Sequence, residues 1–345
     1  MSIDLSVREK TILRYIIENF IRSANPVGSK FISSTTDINL SSASIRNVMS
    51  DLEEKDFLTH NHTSGGRLPT DKGYRFFVNE LMEVEPLAQN DKSKIKKHIE
   101  EFDLSTDEIY KEVSKILGRL TNEISIVSQP YFSDGILEKI ELISLSSTKI
   151  LIVVSIKSGL VRTLIFDIET SLSKERLESI ARILNEKLCG LTLREIRNTF
   201  QERITSLTED SEIIKVFVGS IDKIFQDEKE GLTLYMGGTV EILSQPEFED
   251  TSNYKNIIEF TENKHIVYHV LNQLPEDEDN ISISIGGENT KILLEDKLKN
   301  YSIVSTSYDK DGLKGKIALI GPKRMNYSKM VSMLNFTSKL ISEKI

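Results

Sequence analysis

Cysteine is almost missing from this sequence: Cys189 is the only one in 345 residues. That excludes an internal disulfide framework and fits a reducing compartment. Long apolar runs are missing as well. The opening stretch MSIDLSVREKTILRYIIENF sets charges among its apolar residues and has no small-residue cleavage site, so it reads neither as a signal peptide nor as a membrane span. A soluble, cytoplasmic protein with no membrane partner is expected. Internal repeats and low-complexity tracts are absent, and so are the common catalytic spacings. The glycine pairs of TSGGR, YMGGTV and SIGGEN fit neither G-x-G-x-x-G nor G-x-x-x-x-G-K-[ST] and read as turns. No G-x-S-x-G occurs, and Ile266 stands where H-E-x-x-H would need glutamate. His60 with His62, or His265 with His269, offers two metal positions where a structural zinc site needs four. These absences argue against an enzyme, a cofactor and a metal.

The length suits two or three domains, each able to bury its own core. Hydrophobic content of 39% and charged content of 28% are ordinary for a globular chain. The net charge of -9 argues at first against nucleic acid, which repels an acidic surface. Residues 1–82, however, carry ten basic and ten acidic residues, so the whole deficit lies beyond them. A neutral segment can still present one basic face.

Hydrophobic spacing predicts a helix ending before Asn25 and Pro26, a short helix over 28–35, and a helix in SSASIRNVMSDLE, residues 41–53, with Ser41 or Ser42 as N-cap. A boundary falls near 82–91, and residues 92–124 read as helical. Three strand-like runs, ILEKIELISLSS, KILIVVSIKSG and LVRTLIFDIE, suggest an antiparallel meander. From about 170 to 230 the pattern is helical, with Leu177, Ile180, Leu184 and Leu188 as one stripe. A short strand LTLYMGG, a helix over 253–272, strand ISISIGG, a helix near 290–299, strands YSIVSTSY and KGKIALIG, and a helix over about 326–343 complete the chain. The order points to an α+β domain with a mostly helical insertion.

In the helix at 41–53, Ile45, Val48, Met49 and Leu52 form the apolar stripe, and the other face begins with Ser42, Ala43, Ser44, Arg46 and Asn47. Helix, turn, helix with small polar residues at the start of the second helix is the arrangement that enters a major groove. There Arg46 can pair bidentately with guanine and Asn47 with adenine. A plain solvated face fits this helix equally well. Next comes FLTHNHTSGGRLPT, which reads as strand 57–62, a turn through Thr63, Ser64, Gly65 and Gly66, and return strand 67–70. A hairpin there is a wing, with Arg67 near phosphate or a narrow minor groove. Alone, an ordinary hairpin with a solvent-facing arginine explains it better.

The stretches NPVGSK (25–30), LSSASIRNVMSDLE (40–53) and HTSGGRLPTDKGYRFFV (62–78) resemble the HrcA family of bacterial heat-inducible transcription repressors. GGTVEILSQPEF (237–248), IGGEN (285–289) and GPKRMNY (321–327) continue the resemblance along nearly the whole chain. Asn61, Gly65 and Ser44 depart mildly from the residues common in the family.

The resemblance implies a winged helix-turn-helix domain over 1–85, a linker helix over 86–104, and a GAF-like domain in two parts, 105–169 and 251–345. A dimerisation domain inserted at 170–250 separates those parts. It also implies a homodimer that binds an inverted-repeat operator in double-stranded DNA upstream of chaperone operons, supported by the GroEL chaperonin and inactivated by heat. By matching motif, Lys30, Ser42, Ser44, Arg46 and Asn47 belong to the recognition helix or its support, and His62, Thr63, Ser64, Gly65, Arg67 and Thr70 to the wing. The competing expectation is a regulator gated by a small molecule in the GAF-like domain, with Lys323 and Arg324 as candidate ligands. Against it stands a simpler role for GPKRMNY: Asn326 as an N-cap and Arg324 paired internally.

Overall fold

The computed structural model describes residues 5–35, 40–60, 66–100, 105–130, 132, 135–159, 161–168, 172–204, 217, 219–221, 224–225, 233–274, 280–293, 296–310 and 313–344. Helix α1 (Val7–Ser23) starts at a capping box, in which the Ser6 N–H donates to Glu9 Oε2 at 2.8 Å and the Glu9 N–H to Ser6 Oγ at 3.4 Å. It ends at Ala24 in the left-handed region (φ 55°). Helix α2 (Ser29–Thr35) and helix α3 (Ser42–Glu54) follow, the latter capped by Ser41, whose Oγ accepts from the Ser44 N–H at 3.1 Å. Ile12, Leu13, Ile16 and Ile17 of α1 and Ile32 of α2 are buried with Ile45, Val48, Met49 and Leu52 of α3. Fully burying one such aliphatic side chain contributes about 1.5–3 kcal/mol, so this apolar seam is what holds three short helices together.

Strands β1 (Leu58–Thr59) and β2 (Leu68–Pro69) pair antiparallel, Leu58 opposite Pro69 and Thr59 opposite Leu68. Val27 adds a third rung: its N–H donates to the Arg67 carbonyl at 3.0 Å, and its carbonyl accepts the Arg67 N–H at 2.9 Å. Thr70 caps helix α4 (Asp71–Phe76), which runs on into a π-helical turn, Phe77–Leu81.

Two compact units make up the chain. One holds Met1–Val127, Leu234–Thr306 and Ile317–Glu343; the other holds Ser128–Thr233, Ser307–Lys316 and the last two residues. In the first, helices α5 (Gln89–Glu100) and α6 (Thr106–Thr121) replace the single helix expected over 92–124. A strand that the sequence reading did not find, β3 (Ile124–Ser128), begins just after them. All five of its residues are buried, so it lacks the alternation that marks a half-exposed strand. A five-stranded sheet runs in the order β7 (Leu234–Gly237), β3, β10 (Leu313–Pro322), β9 (Tyr301–Lys310), β8 (Ile281–Ile285), with β10–β3 and β9–β8 antiparallel. The helix expected over 253–272 is two, α9 (Thr251–Glu262) and α10 (Lys264–Gln273), because Asn263 Oδ1 accepts the Ile266 N–H at 3.2 Å and caps a fresh start. Near 290–299 there is one helical turn, Thr290–Leu293, and a 3-10 turn, Asp296–Leu298. Helix α11 (Tyr327–Lys344) closes the chain.

The second unit contains the expected meander, β4 (Leu137–Ser146), β5 (Lys149–Ile156) and β6 (Val161–Asp167), with helices α7 (Lys174–Leu188) and α8 (Leu193–Ile204). Ile140, Ile150, Ile152 and Val154 share one core with Leu177, Ile180, Leu184 and Leu188. The meander is thus packed on these helices, and the unit begins well before the border expected at 170. The architecture is α+β with several antiparallel sheets. Among the described residues no helix is long and apolar enough to cross a membrane.

Candidate nucleic-acid interface

Helix α3 separates two populations of side chain. Its apolar stripe is buried, while Ala43, Arg46, Asn47 and Ser50 are exposed. Ser42 and Ser44 turn out to be engaged: Ser42 Oγ lies 3.0 Å from Ser29 Oγ on α2, and Ser44 Oγ lies 3.0 Å from the capping Ser41 Oγ. Their small size lets α2 approach and closes the first turn. Lys30 projects from α2 into solvent. Among the described residues the side chains of Lys30, Arg46 and Asn47 make no hydrogen bond or ion pair. The charge order along α3 is also the reverse of what its own stability asks for. No acidic residue sits in the first turn and no basic one in the last, while Asp51, Glu53 and Glu54 crowd the C-terminal end. A helix N-terminus carries partial positive charge and favours anions. A first turn free of acid, followed by the exposed Arg46, therefore offers a surface to an anion from outside.

The hairpin after α3 is tied inwards. Arg67, expected near phosphate or a narrow minor groove, has its Nη2 2.8 Å from Glu53 Oε2 near the end of α3, and its side chain is only 21% exposed. Glu53 also accepts from His60. Thr70 Oγ1 donates to the Asp56 carbonyl at 2.7 Å and accepts the Gly73 N–H at 3.1 Å, so it is occupied as a cap. Gly66 has a packing cause: a Cβ there would stand 2.5 Å from the Pro26 carbonyl carbon and 2.6 Å from the Val27 nitrogen. His62, Thr63, Ser64 and Gly65, with Asn61, lie outside the described residues.

Several polar residues that the sequence reading did not single out, or read as possible ligands, join the N-terminal helices to the sheet. Lys323 Nζ donates to Asp71 Oδ1 at 2.6 Å, and Arg324, held by Glu247 Oε2 at 2.8 Å and Gln245 Oε1 at 3.2 Å, donates through Nη1 to the Ile21 carbonyl of α1 at 3.4 Å. Asn326 Oδ1 accepts the Lys329 N–H at 3.1 Å as an N-cap of α11. Arg75 pairs with Glu288. Asp71 and Arg75 are four apart on α4, a spacing that reads as an ordinary pair within one helix; each instead finds its partner elsewhere. Nearby, Glu123 is buried, and burial pushes its carboxyl well above the usual carboxylate range even though Gln245 donates to it and Arg324 is close.

A cavity of about 530 Å³ lies between α1, residues 82–88 and the start of α11. Its cations already have partners: Arg14 pairs with Glu18 and Glu83, and Lys329 reaches Asp91 and the Leu120 carbonyl. Among the described residues no group of three or more His, Cys, Asp and Glu is placed to hold a metal.

The family model for the HrcA protein C-terminal domain matches residues 107–331. The heat-inducible transcription repressor HrcA of Chlorobium phaeobacteroides (strain BS1) is 34% identical over 351 residues, covering 99% of each chain. Its counterpart in Chlorobium chlorochromatii (strain CaD3) is 34% identical over 345 residues, covering 99% of this chain and 98% of its own. A crystal structure of a hypothetical protein at 2.2 Å resolution superposes with a TM-score of 0.57 at 22% identity, over 99% of this chain and 98% of the other, a likeness of fold. With the model spanning 107–331 and relatives matching from end to end, this chain belongs to the HrcA family.

Proposed function

We propose that the chain is a heat-inducible transcription repressor whose N-terminal segment is a winged helix-turn-helix that binds double-stranded DNA. The observation that carries this reading is α3, whose buried apolar stripe faces away from an exposed, acid-free first half holding Arg46 and Asn47 without partners among the described residues. The order α1, the Val27 rung, α2, α3, β1, β2 supports the same reading, since it sets a short ribbon directly after the helix that enters the groove. Arg46 and Asn47 read base edges, Lys30 meets phosphate, and Ser42 and Ser44 shape the helix start. His62, Thr63, Ser64 and Gly65 are assigned to DNA contact, while Arg67 and Thr70 hold the base of the hairpin.

The target is an inverted repeat, read by a homodimer whose twofold axis matches that of the site. Dimerisation is assigned to the second unit, where Ile143, Val161 and Ile165 are exposed apolar residues on the open face of the meander and Leu145 is exposed at the irregularity near the end of β4. The five-stranded sheet with its helices is GAF-like and serves as the frame. Heat empties the folded, DNA-binding state, and the GroEL chaperonin restores it. A footprint of the purified protein on its own upstream region tests the DNA reading. Protection of both arms of an inverted repeat supports it, and no protected sequence overturns it. Loss of binding after mild heating, reversed when GroEL is present during the challenge, tests the heat response.

A further inference from the structure

The N-terminal segment is connected to the sheet by residues 82–88, most of them exposed, yet it belongs to the same compact unit. What fixes it there is a set of charged contacts around an aromatic centre. Tyr74 of α4 and Tyr327 of α11, both 1% exposed, face each other with ring centroids 6.2 Å apart. Around them stand three ion pairs, two of which cross from α4 to the sheet side. Asp71 accepts from Lys323 Nζ at 2.6 Å and from the Gly287 N–H at 2.8 Å. Arg75 donates to both oxygens of Glu288 and, through Nη2, to the Ile283 carbonyl at 2.6 Å. Arg324 grips Glu247 with Nε and Nη2 and turns Nη1 to the Ile21 carbonyl at 3.4 Å, in the last turn of α1 where helix carbonyls lack partners.

Isolated surface ion pairs contribute little, because solvent screens them and two long side chains must be ordered. These differ in three respects. Two are bidentate arginine–carboxylate pairs. Each also engages a backbone group, so displacement in any direction breaks a bond. Arg324 is only 13% exposed at its side chain. Gly286 makes the fit tight: its φ is +56°, and a Cβ there would stand 2.2 Å from Asp71 Oδ2. The connecting segment is pinned too, by Ser328 Oγ accepting from the Glu85 N–H at 2.9 Å and Ser332 Oγ donating to the Glu85 carbonyl.

We propose that the pairs Asp71–Lys323 and Arg75–Glu288, with Arg324 held by Glu247 against the Ile21 carbonyl, form a clamp that fixes the direction in which α3 is presented, and that tight binding of a two-armed DNA site depends on it. The inference rests on the DNA-binding reading above. Half-sites one helical turn apart, about 34 Å, admit two reading helices at one spacing and orientation. A segment free to rotate still binds one arm, but the effective concentration of the second for the other arm falls. Asp71, Arg75 and Arg324 are therefore positioning residues.

The test uses the full-length protein and its upstream DNA, intact or with one arm scrambled. Arg75→Glu and Glu288→Arg should each weaken binding to the intact repeat by about tenfold or more, with binding to the one-armed DNA held within about twofold, and the double swap should recover most of the loss. Arg75→Gln removes the charge without repulsion, and should show the same split with a smaller loss even if the reversals unfold. Equal losses on both DNAs, no loss on the intact repeat, or a double swap as weak as the singles would each overturn the clamp. Hydrogen exchange without DNA separates the two ideas: residues 71–81 and 281–293 should exchange several-fold faster in the single variants and recover in the double swap. If wild type showed no preference for the intact repeat, the DNA reading would fail while exchange still judged the clamp; unchanged exchange would overturn it.

Discussion

Arg67 Nη2 and Glu53 Oε2 stand 2.8 Å apart, joining the returning strand of the hairpin to the last turn of α3. With the Val27 rung on its backbone, Arg67 is bound on two sides and holds the ribbon against the helix that precedes it. Arg67→Ala should therefore cost about 1–3 kcal/mol of stability by leaving Glu53 without this partner, seen as a lowered denaturant midpoint. The salt slope of DNA binding should hardly change. Lys30→Ala should do the opposite, flattening the slope by about one unit at unchanged stability. A flattened slope in Arg67→Ala with normal stability would return Arg67 to the phosphate.

Gly66 and Gly28 make a paired test of why the hairpin carries glycine. A methyl at Gly66 meets backbone atoms of Pro26 and Val27 at 2.5–2.6 Å, whereas one at Gly28 meets nothing within 4 Å. Gly66→Ala should lower the melting temperature, with a cost of about 1–3 kcal/mol for overpacking against backbone, and Gly28→Ala should leave it nearly unchanged. Equal melting of the two variants would show that the ribbon can move away from Val27.

These two cases show what the sequence could and could not disclose. The stripes of α1 and α3 were legible because each helix buries one face, and the alternation of β4, β5 and β6 because that sheet covers one side only. Strand β3 was hidden by its complete burial, and the break at Asn263 by a local cap inside a continuous helical pattern. At the candidate interface, spacing was enough to put Arg46 and Asn47 on the exposed face of α3. It could not reveal that Ser42 joins α2 or that Arg67 faces Glu53, since both depend on partners distant in sequence. The contacts of Asp71, Arg75 and Arg324 reach more than seventy residues along the chain, where periodicity carries no signal.

Glu123 predicts a pH dependence. Burial raises its folded carboxyl above the ordinary value of 4.5, with Glu247 adding to the rise and Gln245 and Arg324 opposing it. A raised carboxyl binds its proton more tightly in the folded chain. Its contribution is therefore fully present below the unfolded value and is lost as pH rises through the folded one. Glu123→Gln keeps a polar group beside Gln245 and never ionises. Relative to wild type it should gain thermal stability as pH rises from about 4.5 towards 8. A difference in melting temperature that stays flat over that range would mean the carboxylate is compensated in place.

The open face of the meander predicts the mode of assembly. Ile143 and Ile165 lie on one row, each opposite Leu151, and both are exposed. Ile143→Asp and Ile165→Asp should shift sedimentation from dimer towards monomer without altering far-UV circular dichroism, since neither side chain belongs to the core beneath. A dimer that persists in both variants would place the contact elsewhere.

The central claim, that the first half of α3 reads DNA, is tested most directly by the affinities of wild type, Arg46→Ala and Asn47→Ala for the protein's own upstream inverted repeat and for variants of it changed one base pair at a time. Both side chains are exposed, so neither substitution should change the melting temperature. Each should cost about 1–3 kcal/mol on the natural site and relax discrimination at one position of each arm. Affinities for the natural repeat equal to wild type in both variants would contradict the account.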